Sequence, residues 1–113
     1  MARTNHLTTS QPYQVIDTIK TLGRNLRTAR VRRNMTIAEA SERIGTGVRA
    51  VRDAEHGKAT TSIAVYMALL WLYDLLPADY RLADPEFDTE GKRLASLREP
   101  TKAYPIRSID NDF

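Results

Sequence analysis

Apolar residues recur along this chain at helical spacing. Val15, Ile19, Leu22, Leu26 and Ala29 follow one another at intervals of four, three, four and three, which places them on one face of a helix. That helix is predicted to begin near Tyr13, just after Pro12, and to run to about Arg33, with a bend at Gly23. Thr36 precedes Glu39 by three residues, a capping-box pattern, so a second helix is predicted to start there. Ile37, Ala40, Ser41 and Ile44 form its inner side, and Gly45 ends it. A third helix is predicted from Val48 to about His56, opened by Thr46 or Gly47 and closed by Gly57. Thr60, Thr61 and Ser62 supply the cap of a fourth, Ile63 to about Leu75, which Pro77 stops. A last helix, Asp88 to Arg98, lies between Pro85 and Pro100.

The expectation is an all-α fold of four to five helices. Residues 1–12 are rich in Thr, Ser and Asn and are expected to form a mobile arm. Residues 13–76 form the main domain, 77–99 an acidic linker with the last helix, and 100–113 a short tail. A length of 113 residues allows one domain and little else.

Composition narrows the chemistry. There is no cysteine, so disulfides, zinc–thiolate sites and thiol catalysis are excluded. The two histidines, His6 and His56, are far apart, and no His-based metal cluster or catalytic triad is expected. A Gly-rich phosphate loop and a Ser/His/Asp set are also missing. The alternating Asp84, Glu86, Asp88 and Glu90 lack the glycine and spacing of a calcium loop and read as a solvated acidic stretch. No enzyme activity, metal or cofactor is therefore expected. No apolar run reaches the roughly 18 to 20 residues of a membrane span, and the polar N-terminus lacks the apolar core of a secretory signal. The expected location is cytoplasmic, with the nucleoid.

Charge is unevenly spread. The net charge is only +3, yet Arg24 to Arg52 holds eight arginines against Glu39 and Glu42, and Asp74 to Glu90 holds six acids against Arg81. Such asymmetry points to a polyanionic partner on one side. Thirteen of the 17 basic residues are arginine, whose planar fork suits phosphate and guanine edges.

The second and third predicted helices are short and joined by a tight turn containing glycine. That is the helix-turn-helix arrangement, in which the second member enters the major groove of DNA. In the third helix Arg49, Arg52, Asp53 and His56 fall at i, i+3, i+4 and i+7, so they share an exposed face. Val51 and Ala54 lie opposite. Two arginines there can each fork onto O6 and N7 of a guanine. Asp53 can accept from a cytosine amino group or hold Arg49 or Arg52 in place.

Residues 22–75 resemble the XRE-type, Cro/CI-like helix-turn-helix domain of bacterial and phage repressors. The matching segments are LGRNLRTARVRRNMT, AEASERIG, VRAVRDAEHGK and TTSIAVYMALLWL. The resemblance implies base contacts from Val48, Arg49, Arg52 and Asp53. It also implies that Glu55 is the family's buried glutamate, paired with an arginine of the first helix, which the spacing makes Arg30. Two departures bear on the family's phosphate clamp. Ile37 stands where a glutamine usually donates to a phosphate, and Gly47 stands where Ser or Thr usually caps the recognition helix. Arg24, Arg27, Arg43, Arg49 and Lys58 are the residues that could compensate. Size and layout also resemble the HipB-like antitoxins, which implies autorepression and a HipA-like kinase toxin as partner.

The fourth helix is apolar nearly all round. Ile63, Tyr66, Met67 and Leu70 make one stripe, and Val65, Leu69 and Leu72 a second, with Trp71 between them. Burial on two sides follows. One side is expected to pack on the preceding helices, and the second stripe on a symmetry mate. A helix buried centrally in a single domain is the alternative. A two-fold dimer would place two recognition helices about 34 Å apart, one turn of duplex DNA. In the tail, Tyr104, Ile106 and Ile109 are expected either to add a strand to a partner or to fray.

Overall fold

Each helix of the first unit is ended by the same backbone device. The computed structural model describes residues 12–77 and 81–98. Within these, α1 is Tyr13–Arg32, α2 Ile37–Ile44, α3 Val48–Glu55 and α4 Ile63–Leu72. After each one, a single residue turns into the left-handed region: Asn34 (φ 58), Gly45 (φ 78), Gly57 (φ 67) and Asp74 (φ 60). The amide of the next residue then reaches back to a carbonyl of the last turn. Met35 donates to Arg30 O, Thr46 to Ser41 O, Lys58 to Asp53 O and Leu75 to Leu70 O, at 2.7–3.2 Å. This satisfies carbonyls that a helix end leaves without a partner.

Helix starts are equally legible. Thr36 Oγ1 accepts from the Glu39 amide at 3.0 Å and Glu39 Oε1 accepts from the Thr36 amide at 2.8 Å, closing the capping box. These bonds hold the Glu39 carboxyl below the usual carboxylate range. Ser62 caps α4, accepting from the Ala64 amide. α3 differs. Its cap position is Gly47 with no side-chain bond, and Thr46 instead gives its amide to the end of α2.

Two boundaries differ from the sequence expectation. α4 ends at Leu72 rather than near Leu75, because Asp74 turns left-handed ahead of Pro77. α1 is unbroken through Gly23. That glycine is a contact point: a Cβ on it would lie 2.5 Å from Ala54 O, 2.7 Å from Glu55 O and 2.8 Å from Gly57 N.

The core of this unit is made by Leu26 and Ala29 of α1, Ala40 of α2, Val51 and Ala54 of α3, and Tyr66, Leu69 and Tyr73 of and just after α4. Arg33 ties the two ends together. Its Nη2 donates to Tyr73 O at 2.8 Å, Nη1 donates to Ala29 O at 2.9 Å, and the guanidinium lies 5.5 Å from the Tyr73 ring centre. Residues Met1–Leu76 form one compact unit and Pro77–Phe113 another.

In the second unit, a 3-10 turn, Pro85–Phe87, precedes α5, Thr89–Arg98. The alternating acids act locally here. Asp84 accepts from the Glu86 amide and Asp88 from the Gly91 amide. Glu86 pairs with Lys92 and Glu90 with Arg93. The last pairing lowers the Glu90 pKa and raises that of Arg93. Among the described residues there is no strand, no group of acids and histidines able to hold a metal and no helix long and apolar enough to cross a membrane. The expected arm, apart from Pro12, and the tail from Pro100 with Tyr104, Ile106 and Ile109 lie outside the described residues.

Candidate nucleic-acid interface

α3 has two faces set by its own sequence. Val51 and Ala54 have no exposure and sit in the core, as does Glu55 at 7 %. Val48, Arg49, Arg52 and His56 are exposed. The apolar positions turn inward and the polar ones outward because burying an arginine without a partner costs far more than burying an alanine.

Glu55 is the one buried carboxylate of α3, and its partner is Arg30. Arg30 Nε donates to Glu55 Oε2 at 2.7 Å and Nη2 to Oε1 at 3.1 Å, while Nη1 donates to Met35 O at 2.8 Å. The pair is bidentate, with the side chains 10 % and 5 % exposed. The bond to Glu55 raises the pKa of Arg30. This pair pins α3 to α1 and to the turn before α2, and so fixes the angle at which the outer face of α3 is presented.

Asp53 is half-buried, and its charged neighbour is Lys58, with Nζ 3.8 Å from Oδ2. It is not bonded to Arg49 or Arg52 among the described residues. Arg43 is exposed in the last turn of α2, one turn from Glu39, whose charge it helps stabilise. Ile37, at the position where the phosphate-donating glutamine was missed, is half-buried and packs against the core. Tyr66 Oη donates to Lys58 O at 3.0 Å and so anchors the loop after α3 to α4. Burial pushes the Tyr66 phenol up.

Arg24 and Arg27 are exposed on α1. Lys20, one turn ahead of Arg24 and outside the sequence expectation, is exposed as well. Its backbone touches the end of α3, since a Cβ on Gly57 would lie 2.6 Å from Lys20 Cα. The signal was available as the i, i+4, i+7 spacing of Lys20, Arg24 and Arg27.

One member of the expected self-association stripe, Leu69, needs correction. Leu69 has no exposure and belongs to the core of its own chain. Val65 and Leu72 are half-buried and pack against that same core. The reason is that Tyr66, Leu69 and Tyr73, at i, i+3 and i+7, are the positions turned toward α1–α3. The large apolar residues of α4 left exposed are Ile63, at 71 %, and Trp71, at 64 %.

Residues 26–79 match the helix-turn-helix family model. The chain carries an XRE-type helix-turn-helix domain. No curated protein and no solved structure matches the chain. In this XRE domain α2 and α3 are the two helices of the motif. The family is one of DNA-binding domains of transcription regulators. The match starts at Leu26, inside α1, so the first half of that helix lies ahead of it.

Proposed function

We propose that this XRE protein is a sequence-specific repressor of its own gene, acting in the cytoplasm at the nucleoid as a dimer on an inverted repeat. The observation that carries the reading is the exposed face of α3, where Val48, Arg49 and Arg52 stand clear of the core on the second helix of the motif. Arg49 and Arg52 read guanines in the major groove, and Val48 meets a thymine methyl or sets the approach. Asp53, held near Lys58, orients that lysine toward a phosphate. Arg24, Arg27, Arg43 and Lys58 contribute phosphate contacts, which provide affinity without sequence information.

In this reading the outer side of α4 is the dimer contact. Ile63 and Trp71, at i and i+8, are the exposed large apolar residues of α4, which carries no charge. A ridge of this kind packs against its own copy about a two-fold axis. The experiment is an anisotropy titration with the duplex upstream of the gene and with a scrambled duplex. Two chains per specific duplex are expected. Arg52→Ala should lose about 5- to 150-fold in discrimination, the value of one bidentate base contact. Trp71→Asp should abolish the two-chain complex. Equal affinity for both duplexes would remove the reading.

A second reading, a HipB-like antitoxin that binds a HipA-like kinase, is favoured by one observation. In the second unit Leu82, Phe87 and Leu97 are 61–71 % exposed, which suits a protein partner. Co-purification with the product of the neighbouring gene, lost on Phe87→Asp, is its test.

A further inference from the structure

α1 carries, on both sides of the point where the family match begins, a feature that the recognition helix does not account for. Lys20, Arg24 and Arg27 form one row along the helix, and all three are exposed. At its Lys20 end the backbone of the row touches the turn just after α3, while the face of α1 that packs inward is that of Gly23, Leu26, Ala29 and Arg30. There, two glycines allow the backbones to touch. A Cβ on Gly57 would stand 2.6 Å from Lys20 Cα and 3.0 Å from Ile19 O, and one on Gly23 would stand 2.5 Å from Ala54 O. Lys58 is the residue after that contact, so a fourth cation follows the row. Arg24 is steadied by Thr21, to whose Oγ1 it donates at 3.1 Å. Asp17, one turn ahead of Lys20, makes no ion pair with it.

We propose that α1 is a second phosphate-binding rail, in which Lys20, Arg24 and Arg27, continued by Lys58, lie along the DNA backbone beside the groove that α3 enters. The inference rests on the DNA-binding reading above and adds Lys20 and the α1 register to it. The row spans seven residue steps, about 10 Å at the helical rise. One strand of a duplex carries about one charge per 3.4 Å of axis, so a row of about 10 Å faces about three phosphates. The contact is blind to sequence. Lys20 therefore sets affinity and its salt dependence, and leaves discrimination to Arg49 and Arg52.

The test uses the full chain, the upstream duplex and a scrambled duplex, titrated from about 50 to about 200 mM salt. Losing one phosphate contact lowers the log–log salt slope by about 0.9. For Lys20→Ala, the affinity lost over that fourfold salt increase should be smaller by about 3.5-fold, equally on both duplexes, with Lys20→Arg restoring it. Arg32→Ala is the control. Arg32 is exposed on the other flank of α1, in the hollow with Asn25, Thr28 and Leu75, and should leave the slope unchanged. Matching thermal melts establish that both variants fold. A Lys20→Ala slope equal to wild type, or equal to that of Arg32→Ala, would overturn the rail while Arg52→Ala still reports base reading. If the wild-type chain binds neither duplex, the DNA-binding reading and the rail fall together.

Discussion

Removing one partner of the Arg30–Glu55 pair is the sharpest test of how the reading face is held. Glu55→Ala leaves Arg30, 9 % exposed, with one hydrogen bond where it had three: only Met35 O remains. A buried charge stripped of its partner costs about 3–5 kcal/mol. The bond to Met35 O still holds one nitrogen of the guanidinium, so the lower end applies, about 3 kcal/mol. For a domain of this size each kcal/mol lowers Tm by roughly 4–8 °C, giving a fall of about 12–24 °C in a far-UV circular dichroism melt. The double variant Arg30→Met, Glu55→Leu replaces the pair by apolar groups of similar volume and should recover most of that loss. The reverse single, Arg30→Met, strands Glu55 at 5 % side-chain exposure and should be at least as damaging. A fall of less than about 4 °C for Glu55→Ala, or a double variant no better than the singles, would show that the pair is solvated and does not fix α3.

Two further perturbations probe the same packing. Tyr73 has 1 % exposure and a buried hydroxyl with no hydrogen-bond partner, so Tyr73→Phe should leave Tm unchanged or raise it by a few degrees, since an unpartnered buried hydroxyl costs about 1–3 kcal/mol. Burial, and next the Glu55 charge, push the Tyr73 phenol above its ordinary value. A raised folded-state pKa means stability complete below pH about 10 and lost as pH rises through the folded value; Tyr73→Phe should flatten that alkaline loss, and an unaltered alkaline melting curve would count against the burial argument. Gly23→Ala gains up to about 1 kcal/mol of helix propensity but places a Cβ within 2.5–2.8 Å of three backbone atoms. Backbone cannot step aside as a side-chain tip can, so overpacking of about 1–3 kcal/mol wins and Tm falls. A stabilised Gly23→Ala would refute the close approach of α1 to α3.

How far the sequence could be read depended on whether a residue's surroundings repeat at a regular period. Helix starts and stops were legible because caps are local: Thr36 with Glu39, and Gly45 and Gly57 past helix ends, are chemical patterns within five residues. The other two stops are made by Asn34 and Asp74, which tolerate the left-handed region less readily than glycine, and α4 was accordingly drawn too long. The two faces of α3 were legible because its apolar and charged residues alternate at helical period. α4 gave no such phase. IAVYMALLWL is apolar at every position, so periodicity assigns no inner face, and choosing Val65, Leu69 and Leu72 as the outer stripe had no physical basis in the sequence. The phase is set by partners distant in the chain: Leu69 and Tyr73 close over Leu26, Val51 and Ala54, which leaves Ile63 and Trp71 outside. The same holds for Lys20. Its row could be counted from the sequence, but its place beside α3 follows from Gly23 meeting Ala54 and Gly57 meeting Lys20. Glycine signals that something passes close by and does not say what. Side-chain chemistry is therefore local enough to read, while the surfaces this domain leaves exposed depend on which helix a small residue lets in.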